Sequence, residues 1–153
     1  MRVAQFLTDH RIPFDTLLHP PAFTAQKRAR FLHITGRRVA KCVLLRTPGG
    51  YCLAVLPATH RIDTEVVAVQ VGGPVRLADE REIAQVFPDC EWGVVPPFGT
   101  LYGLPTILDE ALDPESVLVF EANSHGEAIR LSCRDFERLE HARRLKFARA
   151  AHV

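Results

Sequence analysis

The chain has no excess of charge, no cysteine pairing pattern and no apolar run long enough to span a bilayer. Its 153 residues carry 19 Lys+Arg against 18 Asp+Glu, a formal net charge of +1, so overall charge does not announce a polyanionic partner. The four cysteines (Cys42, Cys52, Cys90, Cys133) form no CxxC and no metal-ligand spacing. Free thiols in a reducing compartment are therefore expected rather than disulfides or zinc. The opening segment "MRVAQFLTDHRIPF" lacks the apolar core of a signal peptide. A cytoplasmic location, without a membrane partner, is the expectation. His19, His33 and His125 make no HxxH or HExxH pattern, and GxSxG, P-loop and GxGxxG signatures are missing. No metal or cofactor is implied.

What is present reads as one mixed α/β domain over residues 1–153, with no repeat or long linker. "VAQFLTDHRI" puts Val3, Phe6 and Leu7 on one helical face, and residues 12–18 read as extended. Thr24 is a plausible N-cap for "TAQKRARFLHITG", a helix predicted to stop at Gly36. "VAKCVLLRT" and "YCLAVLPA" form a hairpin around "PGG". "IDTEVVAVQVGG" admits a strand, from its five valine or isoleucine residues, or a helix capped by Asp63 and ending near Gly72. The helix is preferred. Asp79 and Glu82 form a capping-box start for "DEREIAQVF". "PVRLA", "PTILD", "SVLVFEA" and "EAIRLS" read as strands. "CRDFERLEHARRLKFARAA" reads as one final helix with Phe136, Leu139 and Leu145 as its apolar stripe.

Four features bear on chemistry. Lys41 lies in an apolar strand, where an ammonium must reach the surface or a polar partner. It either snorkels at the strand end or meets an anionic or carbonyl group in a pocket. "CEWGVVPPFGTLYGLP" is almost uncharged, yet its glycines and prolines suit neither helix nor central strand. It is either a packed connection or a stiff pocket wall. Asn123, Ser124, His125 and Gly126 make a polar turn between strands. Finally, Lys27, Arg28, Arg30, Arg37, Arg38 and Lys41 form a basic run without an acid, and Arg143, Arg144, Lys146 and Arg149 form a second. Such polarity either decorates solvated helices or attracts a polyanion to one face.

Taken in order, "HPPAFTAQKRA", "VAKCVLL", "LAVLPA", "FPDCEWGVVPPFG", "YGLPTILDEAL" and "EANSHGEAIRLSCRDFERL" resemble the YbaK/prolyl-tRNA synthetase-associated editing domain, from roughly His19 to Leu139. The resemblance implies a barrel-like mixed sheet flanked by helices, and hydrolysis of the ester joining a wrong amino acid to tRNA. Lys41 matches the family's signature lysine, near the terminal adenosine of the substrate. With it Gly99 is assigned to catalysis. The resemblance implies a substrate pocket drawn from His19, Thr24, Gly93, Pro96, Pro97, Phe98, Asp109, Asn123, Ser124 and His125. Here Asn123 stands where many members have glycine. The chemistry it implies uses positioned water and the substrate's own hydroxyl rather than a protein nucleophile. Lys27, Arg28, Arg30, Arg37 and Arg38 would hold tRNA. The expected activity is trans-editing deacylation of tRNA for proline carrying a small non-cognate residue. Mischarged tRNA is the expected partner, with an aminoacyl-tRNA synthetase as a second. A non-catalytic tRNA- or aminoacyl-binding protein of the same fold is the alternative, and a hydrolase of another small acyl ester is a third.

Overall fold

A computed structural model of the chain describes residues 2–151. Helix α1 (Arg2–Asp9) turns Val3, Phe6 and Leu7 inward, and β1 (Asp15–Leu18) follows. Helix α2 (Ala25–Leu32) begins where the Thr24 side chain accepts the Lys27 N–H at 3.0 Å. It ends four residues short of Gly36. His33 adopts left-handed backbone (φ 53°) and the Ile34 N–H reaches back to the Ala29 carbonyl at 3.0 Å. This is a Schellman closure, and it folds Ile34 onto the apolar cluster beneath α2. Gly36–Arg38 then make a separate 3-10 turn.

The hairpin forms as its pattern predicts: β2 (Ala40–Thr47) pairs antiparallel with β3 (Gly50–Pro57), closing at Thr47↔Gly50 around Pro48 and Gly49. After β4 (His60–Ile62), the valine-rich segment is the helix α3 (Thr64–Val71). Its caps outweigh its β-branched composition. Asp63 accepts the N–H groups of Glu65 and Val66, and Gly72 takes the left-handed exit (φ 78°). Beyond β5 (Arg76–Leu77), the capping box of Asp79 and Glu82 starts α4 (Glu80–Val86). Strands β6 (Thr106–Asp109), β7 (Val117–Glu121) and β8 (Glu127–Ser132) lead to α5 (Cys133–Glu140).

The tail corrects the expectation of one long helix. At His141 the backbone turns left-handed (φ 49°), and residues beyond it form β9 (Arg143–Leu145) and β10 (Ala148–Ala150). Long-range partners override the local helical pattern. β9 adds parallel to β6, β10 pairs with β4, and the Asp109 carboxylate accepts the N–H groups of Phe147 and Ala148, each at 3.0 Å. Leu145 is therefore a strand residue. Two of the tail's cations are also spent internally, Arg144 on Glu137 and Arg149 on Asp63.

Pairings among the described residues give a five-stranded mixed sheet (β5-β2-β3-β6-β9), a three-stranded antiparallel sheet (β1-β8-β7) and the pair β10-β4. A parallel bridge between Val39 and Val119 links the first two. The five-stranded sheet is covered on both faces, as the apolar character of β2 requires. Ala40 and Leu44 face the main core with α1, α5 and β7. Leu45, Leu56, Val67 and Phe147 fill a second cluster under α3 and the tail.

Asp109 is 1% exposed and also accepts the Ala111 N–H at 3.0 Å. Its carboxylate is the clasp that holds the tail. Replacement by Ala strands three backbone donors, and urea denaturation should show a loss of roughly 3 kcal/mol or more. Asp109→Asn, which keeps one carbonyl oxygen, should lose less.

Candidate active site

Lys41 sits near the start of β2, on the face it shares with Val43 and Leu45. Its side chain enters a cavity of about 420 Å³. The walls come from five places: the N-terminal turn of α2, the start of β2, β4, the segment at Gly93 and Val95, and the end of the β7–β8 hairpin. Lys41 thus lines the cavity, close to the start of its strand. Among the described residues no hydrogen bond or ion pair engages its ammonium. Burial lowers its pKa below the usual lysine value, and the nearby Arg61 cation lowers it further.

Opposite lies a buried charge cluster. Arg28, 3% exposed, pairs with Glu121 Oε2 and also donates to the Ala22 carbonyl at 3.3 Å. His125 Nδ1 lies 3.2 Å from the same Oε2, and its Nε2 lies 2.8 Å from the Trp92 carbonyl. Because Nε2 faces a carbonyl, it carries a proton. The Nδ1···Oε2 contact then needs a second proton, held by the ring or by the carboxyl. Burial raises the Glu121 pKa above the usual carboxylate value, against the opposing pull of Arg28 and His125. The His125 N–H donates to Glu91 at 3.3 Å, and the Phe23 ring packs 4.6 Å from the imidazole. Helix α2, strand β7, the hairpin turn and the segment 91–93 are therefore fastened at one point.

The expected site residues divide. Lys41, Thr24, Gly93, His125 and Arg28 come together around the cavity. Arg28 departs from the expectation of an exposed tRNA contact, because Glu121 holds it inside. Gly93 has φ 85°, a left-handed position that favours glycine. Pro96, Pro97, Phe98 and Gly99 are buried away from the cavity lining. Phe98 anchors the core instead, with ring centroids 5.5 Å from both Phe6 and Phe136. A Cβ on Gly99 would run into Thr106 and the Leu104 carbonyl, so its smallness serves packing. Asp109 holds the tail. Asn123 accepts the Val3 N–H at 3.1 Å and donates to Cys90. Ser124 bonds Glu127, and His19 bonds the Pro20 carbonyl. None of these four lines the cavity.

Glu121, Phe23, His60 and Arg61 line it without having been singled out. The available signal for Glu121 was an acid closing the apolar run "VLVF". Cys42 also lines the cavity, but burial, with Glu121 adding to it, pushes its thiol well above the usual range. Its environment therefore disfavours the thiolate. Among the described residues no group of three or more His, Cys, Asp or Glu is placed to hold a metal ion, and no helix is long and apolar enough to cross a membrane.

Residues 19–139 match the family model of the aminoacyl-tRNA editing domain. No curated protein matches the sequence. Among solved structures, the chain superposes on a hypothetical protein with a TM-score of 0.85 at 19% identity, covering 97% of this chain and 100% of that one. It superposes on a candidate trans-editing enzyme for prolyl tRNA synthetase with a TM-score of 0.84 at 22% identity, covering 97% and 96%. At these identities the likeness is one of fold.

Breaking the buried pair from one side should be far worse than removing it whole. Glu121→Ala leaves Arg28 uncompensated and should cost about 3–5 kcal/mol in urea denaturation. The double change Arg28→Met with Glu121→Leu should recover most of that loss.

Proposed function

Because the chain belongs to the aminoacyl-tRNA editing domain family, we propose that it is a deacylase acting in trans on mischarged tRNA, with tRNA for proline bearing a small non-cognate residue as its substrate. The observation that carries this reading is the unpaired Lys41 ammonium, held in a cavity whose one thiol has its pKa raised by burial. In the reaction, water adds to the ester carbonyl carbon, the bond from that carbon to the ribose oxygen breaks, and the oxygen leaves with a proton. The products are a free amino acid and uncharged tRNA. Lys41 is suited to the anionic end of such a substrate. In a partly desolvated site, a fixed cation stabilises negative charge more than it would in water. Val95 and Gly93, rather than the two prolines, are the loop residues positioned to limit side-chain size.

The tRNA body has a separate surface. Lys27, Arg30, Arg37 and Arg38 are exposed on α2 and the 3-10 turn after it. None forms an ion pair among the described residues. They adjoin the cavity because α2 starts in its wall. The non-catalytic alternative drew on Asn123, but that side chain is bonded to Val3 and Cys90 outside the cavity and lends it no support.

Two measurements test the proposal. Lys41→Ala should reduce deacylation across a panel of alanyl-, cysteinyl-, seryl- and threonyl-tRNA by roughly 30- to 1000-fold, the loss of about 2–4 kcal/mol of transition-state stabilisation. Its melting temperature should be near that of the parent, and near-normal turnover would overturn the assignment. Reversing Arg37 and Arg38 to Glu should weaken tRNA binding and reduce the slope of log K against log salt by roughly 2. Insensitivity to both salt and reversal would remove this surface from the proposal.

A further inference from the structure

The cavity contains three permanent cations or near-cations, Arg28, Lys41 and Arg61, and a single acid, Glu121. The substrate proposed above brings its own cation, the α-ammonium group, within two bonds of the ester carbon. Entering such a cavity, that ammonium is repelled by Lys41 and Arg61 and loses its hydration. Both costs require an anionic partner in the wall. Arg28 and His125 Nδ1 both engage Oε2 of Glu121, and the Val95 backbone N–H also reaches the carboxylate; it is nevertheless the one carboxylate in the cavity lining. The other polar neighbour on α2, Gln26, turns its amide to the Ala58 carbonyl at 3.3 Å.

We infer that the Glu121 carboxylate is the receptor for the α-ammonium group of the aminoacyl ester, with Arg28 and His125 holding it in place through Oε2. This rests on the editing reading and deepens it. Glu121 binds what every free aminoacyl ester has, whereas the Gly93–Val95 wall measures the side chain. The consequence is a substrate class. Esters with a free α-amine are accepted, and tRNAs whose amine is acylated, such as formylated or peptidyl forms, are refused.

The ammonium can be removed without touching the protein. Nitrous acid converts alanyl-tRNA to lactyl-tRNA, which replaces the ammonium by a hydroxyl of similar size. The wild-type chain should hydrolyse alanyl-tRNA faster than lactyl-tRNA by roughly 10- to 100-fold in kcat/KM, the range of one charge-assisted hydrogen bond. Glu121→Gln should bring that ratio down toward the ratio for the uncatalysed esters, because the alanyl substrate loses more than the lactyl one. Arg28→Met combined with Glu121→Gln is the companion variant, since it leaves no unpaired cation if the single change folds poorly. Equal rates on the two substrates by the wild-type chain would overturn the inference. So would a ratio that survives Glu121→Gln, since backbone carbonyls would then hold the amine. An equal loss on both substrates would assign Glu121 a purely structural role and also overturn it. If the wild-type chain hydrolyses none of the four aminoacyl-tRNAs of the panel, the editing reading itself falls, and this inference with it.

Discussion

One buried contact, Arg28 to Glu121, organises the functional end of the molecule. An ion pair out of water is costly to assemble and costlier to break. Once formed, it fixes the N-terminal turn of α2 against the last residue of β7. His125 extends the contact to the Trp92 carbonyl and, through its own backbone, to Glu91. Four chain segments that are distant in sequence thus share one set of charges. The cavity is the space these segments leave beside β2, and its shape depends on that junction more than on any single wall.

The chemistry follows from where charge is paired and where it is not. Arg28 is neutralised, whereas Lys41 is not. One cation is therefore structural and the other is available, although both come from the same basic run of sequence. Burial raises the pKa of the cavity's thiol, so what stands out in the lining is field and shape. Such a site works by preorganisation, with the energetic cost of holding Lys41 in a partly dry place met by the folded core on both faces of β2.

Much of the fold was legible in the sequence because its signals are local. The caps at Thr24, Asp63 and Gly72, the Asp79–Glu82 box and the Pro48–Gly49 turn act within a few residues, and each element started where they said. The errors share a different cause. The helix expected to run to Ala151 was cut by partners distant in sequence, β4 and, above all, Asp109, which lies 38 and 39 positions before the N–H groups it accepts. Arg28 looked exposed because its acid lies 93 positions further on. The apolar loop was ambiguous for a related reason: Phe98 and the prolines pack in the core, while Gly93 and Val95 alone face the cavity. Lys41 was legible since a lysine between apolar neighbours has few places to go.

The chain contains one tryptophan, and it is tied into this junction. The Trp92 indole is 57% exposed and donates to Glu80 at 3.2 Å, while its carbonyl is the acceptor of His125. Its fluorescence is therefore a native optical probe of the cavity wall. A ligand that reorders the segment 91–95 alters the surroundings of the only indole in the sequence. The emission maximum and its quenching by iodide should follow occupancy directly, without a label and without turnover.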